Sequence, residues 1–538
     1  MRPGLVPSRE QRMKNNEDMH RREVLRLLTL PPLAHLAHLG SPSAAASQGP
    51  NPDIELVLTA ARGEARLLPG APTRVSRFTA EVVRGPASTL QQVNESYIGP
   101  VIRLRRRQRV RVRFRNRLDE PSIVHWHGLD VPALADGHPR LAVDAGGEYV
   151  YDFEVANRAG TYWYHPHPHM RTGPQVYAGL AGPLIVTDPE EEALGLPSGG
   201  GELLCVIQDR RFDSANQLVY ATDERAGGIG AGRGRGRGMA MGRGGMGQMM
   251  ATINGWLGDR MLVNGLVEPT VDVDRRTYRV RLLNGSNART YKLAWSDGSP
   301  MTVIGSDGGL LARPRTLPAL TLAPAQRADL LLDLSSHERG ARVQLRSLEF
   351  PAAEAGFVGM MAQTTPVPQG APLTLMTLRV SGTRGPRFQI LERLSTHDVR
   401  PAPTAPVRRV PLTFMQMTWL MDGRVFDMND VTPAETVEPG STHIWEFVNL
   451  PNPMGMAMAH PIHLHGPQFR VLSRTGGAGG SLRQGIVDEG WTDTVLVLPG
   501  EAVRVQVTFS RHPGLYLYHC HILEHEDMGM MRNFRIRA

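Results

Sequence analysis

The tightest constraint on this sequence is a pattern of histidines spaced one residue apart. His125-Trp126-His127, His165-Pro166-His167, His463-Leu464-His465 and His519-Cys520-His521 are four such pairs. In an extended strand, residues i and i+2 point to one face and i+1 to the other. Each pair therefore presents two imidazoles on one side of its strand, and the four pairs supply eight. Two pairs stand early in the chain and two near its end, so a fold that uses them together must join its first and last parts. A lone pair of this kind is weak, because histidine also serves in cores and on surfaces. Four pairs, one of them enclosing a cysteine, have no purely structural account.

The same alternation puts Cys520 on the face opposite His519 and His521. A thiolate with two imidazoles and a weak axial thioether is the blue-copper donor set. His460 and His525 complete the trigonal plane, and Met530 is the axial candidate. Eight imidazoles on the other face fit three copper ions in an open, oxygen-reactive cluster. The backbone from Cys520 to its neighbouring histidines then links the two sites. Structural zinc fits poorly, since it closes with four ligands, usually several of them Cys. The second cysteine, Cys205, lies in the apolar run Leu203–Ile207 and reads as a small buried thiol. With two cysteines there is no disulfide framework.

A chain of 538 residues predicts about three domains. The 57 glycines and 42 prolines favour turns and short strands over long helices. Runs such as Val110-Arg111-Val112-Arg113-Phe114 and Val503-Arg504-Val505-Gln506-Val507 alternate with the strand period, giving an all-β reading of sandwich type. A weak repeat supports three units, each with an alternating strand that ends at an asparagine: Asn116, Asn284 and Asn449. The expected domains are 52–188, 200–382 and 405–538, with 383–404 as a linker. Residues 227–250 form a Gly/Arg-rich insert in the second domain, carrying Met239, Met241, Met246, Met249 and Met250. Such a run cannot bury a core, and its methionines are either incidental or soft Cu(I) ligands.

The net charge of +8 is spread over scattered arginines without a recognition motif, so no nucleic-acid partner is expected. No apolar stretch is long enough for a membrane span. Residues 1–47 read as a signal segment: Arg21-Arg22 in a twin-arginine-like motif, a weak apolar run from Leu25 to Leu39, and Ser43-Ala44-Ala45-Ala46 as a cleavage site. A disordered tail is the alternative. The expected destination is periplasmic or secreted, by the twin-arginine route.

The four clusters resemble those of the multicopper oxidases, a family that includes laccases, bilirubin oxidases and bacterial cuprous oxidases. The resemblance runs from about residue 52 to 538. It implies three consecutive cupredoxin-like Greek-key sandwiches, with a trinuclear cluster between the first and third. It also implies four copper ions: His125 and His463 on type 2, His127, His165, His167, His465, His519 and His521 on a type 3 pair, and His460, Cys520, His525 and Met530 on type 1. The segments Trp163–His167, Val425–Asn429 and His525–Met531 resemble the bacterial copper-efflux type most. In that type a carboxylate after the first cluster and a glutamate after the type 1 histidine assist proton delivery, and Asp136 and Glu526 match them. Forming water in a buried site needs four protons, so such relays are expected. His169 is expected beside the ligands, not among them.

Met454, Met456 and Met458 run into His460. Alternation would put Met456 and Met458 on its face, where thioethers favour Cu(I); flexible core packing is the alternative. Met415, Met417 and Met421 are candidates for the same rim. The family's acidic partner stands as Met456 here, and its long insert before Phe426 is missing. Three functions stay open: a monomeric cuprous oxidase for copper tolerance with dioxygen as acceptor, a laccase acting on phenols and aromatic amines, or a non-catalytic copper-binding relative. A two-domain nitrite reductase fits neither the length nor the eight histidines.

Overall fold

The computed structural model describes residues 51–538 except 94–95, 222–249, 359–364, 397–401, 403 and 452–454. The signal segment, most of the Gly/Arg/Met insert and Met454 thus lie outside the described residues. Six sheets follow one another in pairs: four and five strands, then seven and five, then five and five. Each pair closes over one apolar core fed by alternate residues of both sheets. The fold is all-β, as three consecutive cupredoxin-like sandwiches.

The asparagine repeat has a structural cause. In each sandwich the leading strand runs parallel to the strand that ends at, or one residue past, the asparagine. Ile54–Ala65 pairs with Arg109–Arg117, Glu202–Arg210 with Thr277–Asn284, and Val407–Met415 with Thr442–Asn449. The amide of Asn116 donates to the carbonyls of Glu120, Val143 and Asp144. Asn284 does so to Arg289 and Leu322, and Asn449 to Met458, Val497 and Leu498. All three are buried. Each therefore satisfies loop carbonyls that water cannot reach, and an apolar residue there would orphan them.

The segment after Arg384 does not stand free. Phe388, Leu391 and Leu394 pack with Leu196, Ile304, Leu310 and Leu331. The junction of the first two sandwiches is ionic: Arg279 pairs with Glu191 and Asp329 at 2.6 Å, and Arg281 with Glu202 at 3.1 Å. With Arg103 of the first sandwich 2.5 Å from Glu202, three arginines meet three carboxylates, which removes the penalty of a lone buried ion.

Candidate metal centres

One strand pair sets the site. His460–Leu464 pairs antiparallel with Gly514–Cys520, with Ile462 opposite Cys520 and His463 opposite His519. Directly opposed residues share a face. His460 and Cys520 therefore occupy one face of the sheet, and His463 and His519 the other. The first sandwich contributes a second pair, with His125 opposite His165. His167, His465 and His521 each stand just beyond a strand end.

The eight imidazoles meet between the first and third sandwiches, all buried. Their nitrogens face one another: His125 Nε2 is 3.3 Å from His463 Nε2, His165 Nε2 is 3.4 Å from His127 Nδ1, and His519 Nε2 is 3.1 Å from His465 Nε2 and 3.4 Å from His167 Nε2. The His521 ring is 5.0 Å from that of His127, and neither of its nitrogens has a protein partner. Burial lowers His125, His127, His463, His465 and His521 from the ordinary histidine range, and takes His165 to about 3 and His167 to about 4. At neutral pH these seven imidazoles are thus unprotonated, and inward-facing lone pairs confront one another. Such a donor set suits cations of the kind that imidazole binds.

The outward nitrogens are held by the surrounding structure. His125 Nδ1 donates to the Asp136 carbonyl at 2.6 Å, and His465 Nδ1 to Asp136 Oδ2 at 2.7 Å. His463 Nδ1 donates to the Asp493 carbonyl at 2.8 Å. His127 is reversed: Nε2 points outward to Asp493 Oδ1 at 3.1 Å, leaving Nδ1 to face the centre. Asp493 is itself gripped by Arg327 of the second sandwich. Burial opposes its charge, but that guanidinium holds its carboxyl well below the usual carboxylate range. Glu526 stands 3.2 Å from His519 Nδ1 and 3.5 Å from His167 Nε2. Except at His167, where Glu526 lies near the inward Nε2, such outer partners choose the tautomer that leaves the inner nitrogen free.

Two glycines make this closure possible. Gly137 has φ +88°, and a Cβ there would lie 2.2 Å from the Val124 carbonyl and 2.7 Å from His125 Cα. Gly128, also at +88°, leaves the space taken by Asp493 and Arg327. Burial pushes the Asp136 carboxyl well above its usual range, and its Oδ1 has no protein partner.

The second centre is smaller and drier. Cys520 Sγ is 3.4 Å from His460 Nδ1 and 3.6 Å from His525 Nδ1. Met530 is buried next to them, and its carbonyl accepts the Cys520 amide at 3.0 Å. Burial pushes the Cys520 thiol up, so a thiolate here needs a cation against it. The surroundings are the apolar core of the third sandwich, including Ile462, Leu464, Ile522 and Trp419.

Some expectations meet a different arrangement. Residues 456–459 are not strand, because the strand begins at His460, so alternation does not extend back to the methionines. Met456 is half-buried, whereas Met458 is buried in the core at 1% exposure. His169 is exposed, with its ring 5.4 Å from that of Phe426. Cys205 is buried with Met376 Sδ 3.7 Å away. Sequence reasoning missed Asp493, Arg327, Trp419 and the Ile253 carbonyl. Gly128, following His127, is the one local hint that another group closes in there.

Three family profiles, each described as multicopper oxidase, match residues 74–191, 235–341 and 400–538. The chain is 31% identical to a laccase of Bacillus stratosphericus, over 83% of this chain and 90% of that one. It is 30% identical to the multicopper oxidase mco of Staphylococcus haemolyticus, over 82% and 83%. Among solved structures, the McoA multicopper oxidase of the hyperthermophile Aquifex aeolicus is similar, with a TM-score of 0.71 and 34% identity over 91% of this chain and 97% of that one.

Proposed function

The chain belongs to the multicopper oxidase family of oxidoreductases, and on that premise we propose that it takes four single electrons from a donor at the Cys520 centre and uses them, with four protons, to reduce one dioxygen to two waters among the eight imidazoles. His460, Cys520 and His525, with Met530 axial, would hold a type 1 copper. His125 and His463 would hold type 2, and His127, His165, His167, His465, His519 and His521 a type 3 pair. When bound, these four ions supply one-electron redox chemistry and the place where dioxygen is reduced. The observation that carries the reading is the facing of imidazole nitrogens at 3.1 to 3.4 Å in a fully buried pocket.

Each of the chain's own groups has a task. The backbone joining Cys520 to His519 and His521 links the two centres covalently. Asp136 orients His465 through Oδ2, while Oδ1 is free to hold a proton for the oxygen being reduced. Glu526, between His167 and His519, serves the other side differently: burial opposes its charge, but those imidazoles hold its carboxyl below the usual range, so it passes protons on rather than storing one. The division into 52–188, 200–382 and 405–538, joined by 383–404, follows the three sheet pairs. Export of a monomer by the twin-arginine route, through residues 1–47, completes the reading. No helix among the described residues is long and apolar enough to cross a membrane.

Cu(I) is the donor we favour, in a role in copper tolerance. Half-buried Met250, Met456 and Met528 pack against the core that holds Cys520, and thioethers suit a soft ion. Oxidation of phenols and aromatic amines is the second reading, favoured by the 31% identical relative named laccase. A non-catalytic role has nothing in its favour, since every ligand position carries a competent donor. Purified protein is expected to hold about four coppers per chain and to be blue. Turnover should be measured with Cu(I) and with hydroquinone, each with and without added Cu(II). Equal rates that ignore both the added metal and the double change Met456→Ala, Met528→Ala would remove the cuprous-oxidase reading.

A further inference from the structure

No ligand candidate of the Cys520 centre reaches solvent: His460, Cys520, His525 and Met530 are each 0% exposed. Electrons must therefore enter through whatever covers them. The outward nitrogen of His525, Nε2, donates to the Ile253 carbonyl at 2.8 Å. The same oxygen accepts Trp419 Nε1 at 2.9 Å. The indole also lies against both imidazoles, with centroids 4.7 Å from His460 at 73° and 5.1 Å from His525 at 32°. One side chain thus touches both histidines and shares an acceptor with one of them. His460 Nε2, by contrast, is buried without a protein partner, so only packing fixes that ring.

Neither covering group comes from the segments that carry the ligand candidates. Ile253 belongs to the second sandwich's part of the chain. Trp419 sits on the hairpin of Val407–Met415 and Thr418–Met421, opposite Phe414. Its turn places Gln416 at φ 48° and Met417 at φ 60°, two consecutive left-handed residues without glycine. That two-residue turn matches strand twist and fixes the register; it also costs backbone strain. The strained register is what sets the Trp419 ring on the two imidazoles.

We propose that Trp419, itself only 1% exposed, is a positioning residue of the Cys520 centre and the last side chain that electrons cross, from a donor bound outside it, before the two imidazoles. This rests on the multicopper oxidase reading above. In each passage the donor loses one electron and the Cys520 centre gains one. The indole makes and breaks no bond, and its Nε1–H keeps donating to the Ile253 oxygen.

Trp419→Phe keeps a ring but removes the N–H, and Trp419→Leu removes both. In copper-loaded protein, anaerobic reduction of the blue chromophore by hydroquinone should slow at least about tenfold in Trp419→Leu and clearly less in Trp419→Phe. The reduction potential of that chromophore should shift in both. Reoxidation of reduced protein by dioxygen should change less than about twofold. An independent readout uses metal-free protein: Cu(II) titration should quench indole fluorescence, and Trp419→Phe should remove more of that quenching than Trp295→Phe, whose ring lies in the second core. Wild-type reduction rate and potential in Trp419→Leu would overturn the proposal. If that variant loads no copper, unchanged quenching in Trp419→Phe overturns it. A wild-type protein without blue colour or copper would instead overturn the underlying reading.

Discussion

The two centres lie on opposite faces of a single strand pair, yet their surroundings are unlike. Around the eight imidazoles stand Asp136, Asp493, Glu526 and Arg327, and most outward N–H groups meet an oxygen. Around Cys520 stand Ile462, Leu464, Ile522 and Trp419, and a single backbone carbonyl is the polar contact of His525. On the proposed function, reduction of dioxygen consumes protons, so that pocket would need groups able to hold them near the reacting atoms. Moving one electron needs no proton. A close-packed apolar shell keeps the donor atoms in place as charge changes, because such interiors yield little. The contrast teaches that one ladder can serve two chemistries when its faces are packed differently.

Cys520→Ser should separate the pockets most sharply. Blue absorption should vanish and turnover should fall at least about a thousandfold, while copper analysis loses only about one ion per chain. Loss of all copper would mean the two pockets are not independent. Asp136→Asn should act on the other face alone. Dioxygen consumption should fall about a hundredfold, while stopped-flow reduction of the blue centre under nitrogen stays at the wild-type rate. Slower reduction would show that the carboxylate serves both faces.

Asp493→Asn takes the charged acceptor from His127 and leaves buried Arg327 with Asp307, 3.5 Å away, as its remaining carboxylate. We expect a loss of about 3–5 kcal/mol of stability, with about 10- to 100-fold weaker metal retention in the eight-imidazole pocket; melting with and without a chelator measures both. Blue colour should outlast the other signals during chelation. The smallest effect should come from the scaffold both centres share. Glu435 accepts from Arg532 and from Tyr518, the residue before His519. Burial opposes its charge, yet hydrogen bonds from Arg532 hold its pKa at about 2. Its stabilisation is therefore complete above the ordinary glutamate value and is lost as pH falls from about 4.3 toward 2. Glu435→Gln should cost on the order of 2 kcal/mol at pH 7 and much less near pH 2. Both centres should weaken together, and unequal loss would show that the scaffold is not shared.

Much of this was legible because strand alternation is a local rule. The side of each histidine, and the separation of Cys520 from His519 and His521, need only the next residue to define them. The asparagine repeat was legible too, though its cause was not, since the carbonyls it serves lie in distant loops. The rule failed at Met456 and Met458 because it holds only inside a strand, and the strand starts two residues later.

The sequence by itself determined which donor atoms exist and which face each takes, because neighbouring residues in an extended chain have no other choice. Tertiary structure alone decided which nitrogens meet, that His127 turns Nδ1 inward, and that a tryptophan and the Ile253 carbonyl close over Cys520. Those contacts join residues far apart in the chain, and a backbone carbonyl leaves no mark in a sequence.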